Sequence, residues 1–333
     1  MTSEQVGNEV QKLNIVSGNR LAEMLSVPKE KLVSLSATAK LGYDPFPRTR
    51  PLRPFQKSPA SKPRQIDNPQ QELSWLQKRI HKRLLRPICF PEHVLGGVKK
   101  RSVLDNAERH LDATLLVTLD ITACFPSISN LHVYRVWRNL LGCSLPVAEL
   151  LTRLTTYDRH LPQGAATSPL LANLFIWMID EPIRKACADG FVTYSTWIDD
   201  LAFSGEHARD LIQVAASTLA HHGLHISRRK IKIMGASAVK LLTGTRLGQG
   251  KVRTPKDKLS RIRSGIHKLR EGLIPSLDQE KYIQRLVAQL RFVEQLCPKD
   301  ARFYTKQLSE TIKGKTLSKG TKRNIAAARD RLE

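Results

Sequence analysis

No run in this 333-residue chain approaches the roughly 18 uninterrupted apolar residues of a membrane span, which argues against an integral membrane protein. Cysteine is scarce: Cys89, Cys124, Cys143, Cys187 and Cys297 are odd in number, scattered, and form no CxxC pair. That pattern speaks against a disulfide framework or a zinc knuckle and fits a reducing cytoplasm. Met1 to Arg20 is polar and mixed in charge, so no secretory signal is expected there. There is no internal repeat. Apolar residues make up 41% of the chain, enough for a core, which excludes a disordered tail, a collagen or a coiled coil. The length suits two or three domains.

Acidic residues are also few, 30 against 54 Lys and Arg, for a net charge of +24. The excess is not spread evenly. Residues 1–47 are neutral and residues 102–250 carry only +1, whereas 48–101 carry +11 and 251–333 carry +12. A basic flank alone is an ordinary solvated surface. Two of this size around a nearly neutral middle point to a polyanion, with nucleic acid the leading candidate. An anionic membrane is disfavoured because no basic amphipathic anchor stands out.

Hydrophobic periodicity predicts helices over 9–25, 29–39 and 72–85, the last with Leu73, Leu76, Ile80 and Leu84 on one face and Lys78, Arg79, Lys82 and Arg83 on the other. Prolines at 45, 47, 51, 54, 59, 63 and 69 make 43–70 a loop or irregular strand region, with a short strand over 62–66. The middle alternates: strand 114–119, helices 131–141, 146–156 and 168–188, strands 191–197 and 201–204, helix 207–222, and a strand over 238–247. That order resembles a ferredoxin-like split unit. From Pro255 onward the pattern is helical and basic.

Asp120 ends the first buried strand, and Asp199 and Asp200 form a tight turn 79 residues after it. Taken alone, an Asp-Asp pair is an ordinary solvated turn. If the two strands are neighbours in the sheet, however, three carboxylates converge, and such a cluster needs cations. Oxygen ligands of this kind favour Mg²⁺.

Four motifs in order give the pair its meaning. Leu119-Asp120 through Phe125-Pro126-Ser127-Ile128, then Leu161-Pro162-Gln163-Gly164 through Ser168-Pro169, then Trp197-Ile198-Asp199-Asp200, then Gly223-Leu224-His225-Ile226-Ser227-Arg228-Arg229-Lys230 resemble the catalytic motifs of reverse transcriptases. Asn106-Ala107 with His110 is similar to the NAxxH motif of the retron type, and Leu242-Thr243-Gly244 resembles its VTG motif with Leu in place of Val. The resemblance covers about residues 55 to 300. Two departures stand out: Trp197-Ile198 replaces the usual Tyr-Ala before the aspartates, which puts speed or fidelity in doubt, and Ala166 replaces a proline, which loosens the loop.

The resemblance implies an α+β right-hand polymerase with fingers, a palm built on a ferredoxin-like sheet, and a helical thumb. The expected divisions are a helical extension at 1–45, fingers at 46–113 with part of 131–165, palm at 114–250, thumb at 251–315 and a polar tail at 316–333. Two Mg²⁺ ions are implied, held by Asp120 and Asp199 with the Ile121 carbonyl, while Asp200 completes the acidic cluster. Lys230 is the implied acid for leaving pyrophosphate. Phe125 is the implied steric gate against a 2′-OH, although a core phenylalanine is the plainer reading. Gln163 is expected over the incoming nucleotide, and either Arg64 or Lys62 on its triphosphate. The basic face of 72–85 is expected along the template phosphates. Asn106, His110, Thr243 and Gly244 are assigned partly to RNA selection; the alternative is that Asn106 and His110 only pin the fold.

The implied activity is RNA-directed DNA synthesis on a cognate structured non-coding RNA. It is primed from an RNA 2′-OH to give a branched RNA–DNA hybrid, with dNTPs as substrates. The resemblance also implies an antiphage role with a separate effector protein; no RNase H, nuclease or protease domain is visible within the 333 residues, so RNA removal and toxicity are expected from other proteins. A cytoplasmic location and no membrane partner are expected. The rivals are a group II intron or diversity-generating reverse transcriptase, a polymerase-fold RNA-binding scaffold, and untemplated DNA synthesis.

Overall fold

The computed structural model describes residues 12–48, 63–248, 250–313 and 320. Lys62, residues 1–11 and nearly all of the expected tail at 316–333 lie outside them. The described residues divide into two units: those up to Ser102 together with Thr114–Ile233, and Val103–Ala113 together with those from Met234 on. The segment 103–113, grouped with the fingers on sequence, thus belongs to the second unit.

The first unit holds a two-stranded antiparallel sheet of β1 (Tyr43–Arg48) and β2 (Arg64–Pro69), in a register that sets Arg48 opposite Arg64. The proline-rich stretch is therefore strand at both ends. Its second sheet contains β3 (Leu116–Asp120), β4 (Thr193–Trp197), β5 (Asp200–Ser204) and β6 (Lys232–Met234) in the order β4-β5-β3-β6. β6 is where the chain passes out of this unit. On sequence, the last strand of the split unit is expected over 238–247. Lys232–Met234 takes that place instead, too short a run to register as a strand by periodicity.

Helix Ser168–Ile179 is apolar nearly all round and buried along almost its whole length, as a central core helix must be. The single helix expected over 168–188 is two. Pro182, in the first turn of Glu181–Asp189, has no N–H to continue the first helix, so the chain breaks at Asp180. Helices Gln71–Ile80 and Asn130–Arg135 each run on into a π-helical turn, His81–Leu85 and Val136–Leu140. The N-terminal helix is shorter than its pattern: Ser17 caps Gly18–Leu25 by accepting the Arg20 N–H at 3.2 Å, and Leu13 and Ile15 instead pair with Leu141 and Ser144.

Arg79 and Arg83, on the basic face expected along template phosphate, also hold the preceding helix. Arg79 donates to the Leu25 carbonyl at 2.7 Å, and Arg83 donates to the Met24 carbonyl at 3.0 Å and to Ser26 Oγ. They cap the C-terminus of helix Gly18–Leu25, where positive charge meets unsatisfied carbonyls.

The second unit contains helix Val103–Arg109, a three-stranded antiparallel meander and three helices, Lys256–Arg270, Ser276–Leu296 and Pro298–Thr311. The meander runs β7 (Lys240–Leu242), β8 (Thr245–Gly248) and β9 (Lys251–Arg253). Its first turn splits the strand expected over 238–247: Thr243 (φ 45°) and Gly244 (φ 79°) both adopt the left-handed conformation that a two-residue hairpin turn requires. Ile262, Ile266, Ile283, Leu290, Tyr304 and Leu308 form the centre of the helical core.

Candidate active site

β3 is one of the two inner strands of its sheet, with only Thr118 and Asp120 less than fully buried, and it delivers Asp120 at its end. The register sets Asp120 directly opposite Asp200 on β5. Opposed residues of antiparallel strands share a face with Cβ atoms about 5 Å apart. Ile198 and Asp199 form the two-residue turn between β4 and β5, and the Ile121 N–H donates to the Asp199 carbonyl at 2.8 Å. Residues 225–227 lie beside 120–122: Thr122 N–H donates to His225 O and Ser227 N–H to Asp120 O, both at 2.7 Å. That pairing carries the chain into the turn Arg228–Lys230 and brings Lys230 Nζ to 2.6 Å from Asp120 Oδ1. Three separate motifs are thus gathered by sheet register and by the bridge of Ile226 to Ile121.

The turn is strained. Ile198 has φ 59°, a left-handed conformation rare for a β-branched side chain. It is braced from behind. The Leu95 N–H donates to the Thr196 carbonyl at 2.9 Å, and Asn173 Nδ2 holds the Gly96 carbonyl at 2.7 Å. A Cβ on Gly96 would sit 2.6 Å from the Ile198 nitrogen, so only glycine allows this approach. Sequence reasoning missed Gly96; the Gly96-Gly97 pair was its one visible signal.

A cleft of about 550 Å³ opens over the carboxylates. Its lining includes Arg64, Asp120, Ile121, Phe125, Gln163, Asp199 and Lys230, with Gln65, Ile66, Gly164 and Ser168 beside them. Six residues from four motifs and the fingers region meet as expected, together with Ile121. Asp200 is not in the lining. Phe125 is partly buried and packs against the core while also lining the cleft. Lys62 lies outside the described residues.

Burial pushes the Asp199 carboxyl up from its ordinary value, and Asp120 adds to the rise, while Arg64 and Lys230 oppose it. Asp200 is pushed up to about 6, by burial first and then by Asp199 and Asp120, against Lys230 and Lys232. Carboxylates that resist ionising together are ready to accept a cation. Among the described residues, no three His, Cys, Asp or Glu side chains are gathered as a closed metal cage. The donors that do line the cleft are two carboxylates, and that set fits Mg²⁺, which takes one or two carboxylates plus substrate phosphates. Cys124, beneath them, is held protonated by burial and by the charges of Asp199 and Asp120.

In the second unit, Asn106 Nδ2 donates to Thr243 Oγ1 at 3.2 Å, so the NAxxH and LTG segments meet. Asn106 is 1% exposed and His110 0%. Their side chains are therefore buried rather than presented at the surface. Asn106 instead holds the Thr243-Gly244 turn. Burial, with Arg109 adding, pushes His110 down to about 4.

Residues 55–246 match the reverse transcriptase (RNA-dependent DNA polymerase) family. The chain is 29% identical over 242 residues to the retron Ec86 reverse transcriptase of Escherichia coli, covering 72% of this chain and 75% of that protein. It is 28% identical over 192 residues to the retron Se72 reverse transcriptase of Salmonella heidelberg, covering 58% of this chain and 49% of that one. It is 29% identical over 273 residues to the retron Ec48 reverse transcriptase of Escherichia coli, covering 77% and 65%. The chain belongs to the reverse transcriptase family, and its likeness within that family is to the retron type. Its fold class is the right-hand polymerase, and its activity is RNA-directed DNA polymerisation. Among the described residues no helix is long and apolar enough to cross a membrane.

Proposed function

We propose that the chain copies part of a cognate structured non-coding RNA into single-stranded DNA by two-metal nucleotidyl transfer. Synthesis starts from an RNA 2′-OH and leaves a branched RNA–DNA hybrid. The observation that carries the chemistry is the meeting of Asp120, Asp199, Lys230, Phe125, Gln163 and Arg64 around one cleft. Asp120 and Asp199 would hold two Mg²⁺ ions, with the Ile121 carbonyl beside them, and the ions would supply charge neutralisation at the attacking and leaving oxygens. Asp200 supports that pair from the neighbouring strand position. Lys230 holds a proton within reach of the Asp120 side of the cleft, where it can be given to departing pyrophosphate. Arg64 offers a bidentate grip for the triphosphate. Phe125 fills space at the sugar and disfavours a 2′-OH, and the Gln163 amide can bond the sugar or phosphate.

The basic segments, net +11 and +12, serve as fingers and thumb on RNA and its DNA product, so binding weakens steeply with salt. Selection of the cognate RNA rests partly on the Thr243-Gly244 turn, with Asn106 and His110 acting through it. The system serves antiphage defence in the cytoplasm with a separate effector protein. Sequencing the nucleic acid that copurifies with the protein tests this reading. One defined RNA joined through a 2′-linkage to complementary DNA is expected. DNA without a template complement, or RNA alone, would overturn it.

A further inference from the structure

One buried carboxylate joins the two walls of the cleft. Asp67 lies three residues after Arg64 on β2 and is 2% exposed. Its Oδ2 accepts the Gln163 backbone N–H at 2.9 Å, and its own N–H donates to the Gln163 carbonyl at 2.8 Å. Nε2 of His160 lies 3.4 Å from the same Oδ2, and Nδ1 lies 3.0 Å from the Asp158 carbonyl. The His160 backbone is fixed in turn by reciprocal 2.9 Å bonds with Tyr157. Gly164, at φ 140°, completes the fit, because a Cβ there would lie 2.8 Å from the Asp67 carbonyl oxygen.

A two-stranded sheet such as β1-β2 is marginal on its own. Arg64 can present its guanidinium at a fixed height over the carboxylates only if β2 is anchored elsewhere. The bonds from Asp67 provide that anchor, and they tie it to Gln163, which lines the cleft from the other wall. A buried carboxylate is costly unless its partners are all in place.

Building on the reading of this cleft as the nucleotide site, we propose that Asp67, braced by His160, is a positioning residue. It fixes the spacing between Arg64 and Gln163 and so sets the apparent affinity for the incoming dNTP.

The test is steady-state extension of an annealed primer–template by Asp67→Ala, Asp67→Asn and His160→Ala. Primer–template affinity and thermal melting are measured on the same preparations. Asp67→Ala is expected to raise KM for dNTP about tenfold, with kcat and primer–template affinity near wild type. Asp67→Asn keeps an acceptor oxygen for the Gln163 N–H and recovers most of that loss. His160→Ala raises KM about threefold. An unchanged KM in Asp67→Ala, or equal loss across kcat, affinity and melting temperature, overturns the proposal. Should Asp67→Ala fail to fold, His160→Ala decides, and an unmoved KM there overturns it. Arg64→Ala separates the two levels. If it raises KM while Asp67→Ala does not, only the positioning role fails; if neither does, the cleft is not the nucleotide site.

Discussion

Lys230 donates to Asp120 at 2.6 Å, so the chain's own ammonium sits on a carboxylate that lines the cleft. The Lys230 side chain is 52% exposed, so the pair is only modestly stabilising and a divalent cation can displace it. Lys230→Met frees Asp120 for metal while removing a proton donor. Mg²⁺ binding, followed by the rise in melting temperature, is expected to tighten about threefold. DNA synthesis is expected to fall about a hundredfold. Unchanged synthesis would leave Lys230 as a counter-charge only.

The two aspartates of the turn are not equivalent. Asp199 lines the cleft and Asp200 does not. Asp199→Asn and Asp120→Asn are expected to reduce Mg²⁺-dependent extension at least about a thousandfold, with RNA affinity retained. Asp200→Asn is expected to reduce it less, because Asp200 does not line the cleft. Substantial extension by purified Asp199→Asn would remove the active-site assignment. Equal loss in Asp199→Asn and Asp200→Asn would remove the distinction between them.

Phe125 packs against the core with part of its ring and faces the cleft with the rest. Phe125→Val should lower the ratio of dNTP to rNTP efficiency about tenfold, and Phe125→Ala further. The alanine variant should also lose about 2 kcal/mol of stability, less than a fully buried phenylalanine would. The ratio distinguishes the roles: a loss of stability with an unchanged ratio makes Phe125 a core residue alone.

What could be read from the sequence divides along physical lines. The aspartates, Lys230, Phe125 and Gln163 were legible because each sits in a run whose order and spacing constrain chemistry. β3 and the β4-β5 turn followed from apolar runs ending in charge. Asp67, His160 and Gly96 were not legible, since each matters through a contact far along the chain: Asp67 with Gln163, His160 with Asp67, Gly96 with Ile198. No local pattern marks such pairs. The row of cations at 72–85 was legible as an exposed stripe, for Lys78, Lys82 and Arg83 are exposed; what no local pattern marks is that Arg79 and Arg83 also cap a helix some fifty residues earlier.

His110 gives the pH dependence. Its ring is fully buried, and burial, with Arg109 adding, pushes it down to about 4 from the ordinary value near 6.5. Below about 6.5 the unfolded chain takes up a proton that the folded one refuses. The stability from neutral His110 is therefore complete above that pH and is lost as pH falls from about 6.5 to about 4, an effect on the order of 3 kcal/mol. His81, His132 and His222 are also lowered by burial, so the wild-type slope has several sources. The informative quantity is then a difference of slopes. His110→Gln lacks the titrating group, and its urea stability measured at pH 7.5, 6 and 5 is expected to fall less steeply than that of the wild type, whatever its offset at pH 7.5. Parallel curves would mean that His110 takes up its proton without leaving the fold, and the buried ring would then not be the source of acid sensitivity in the second unit.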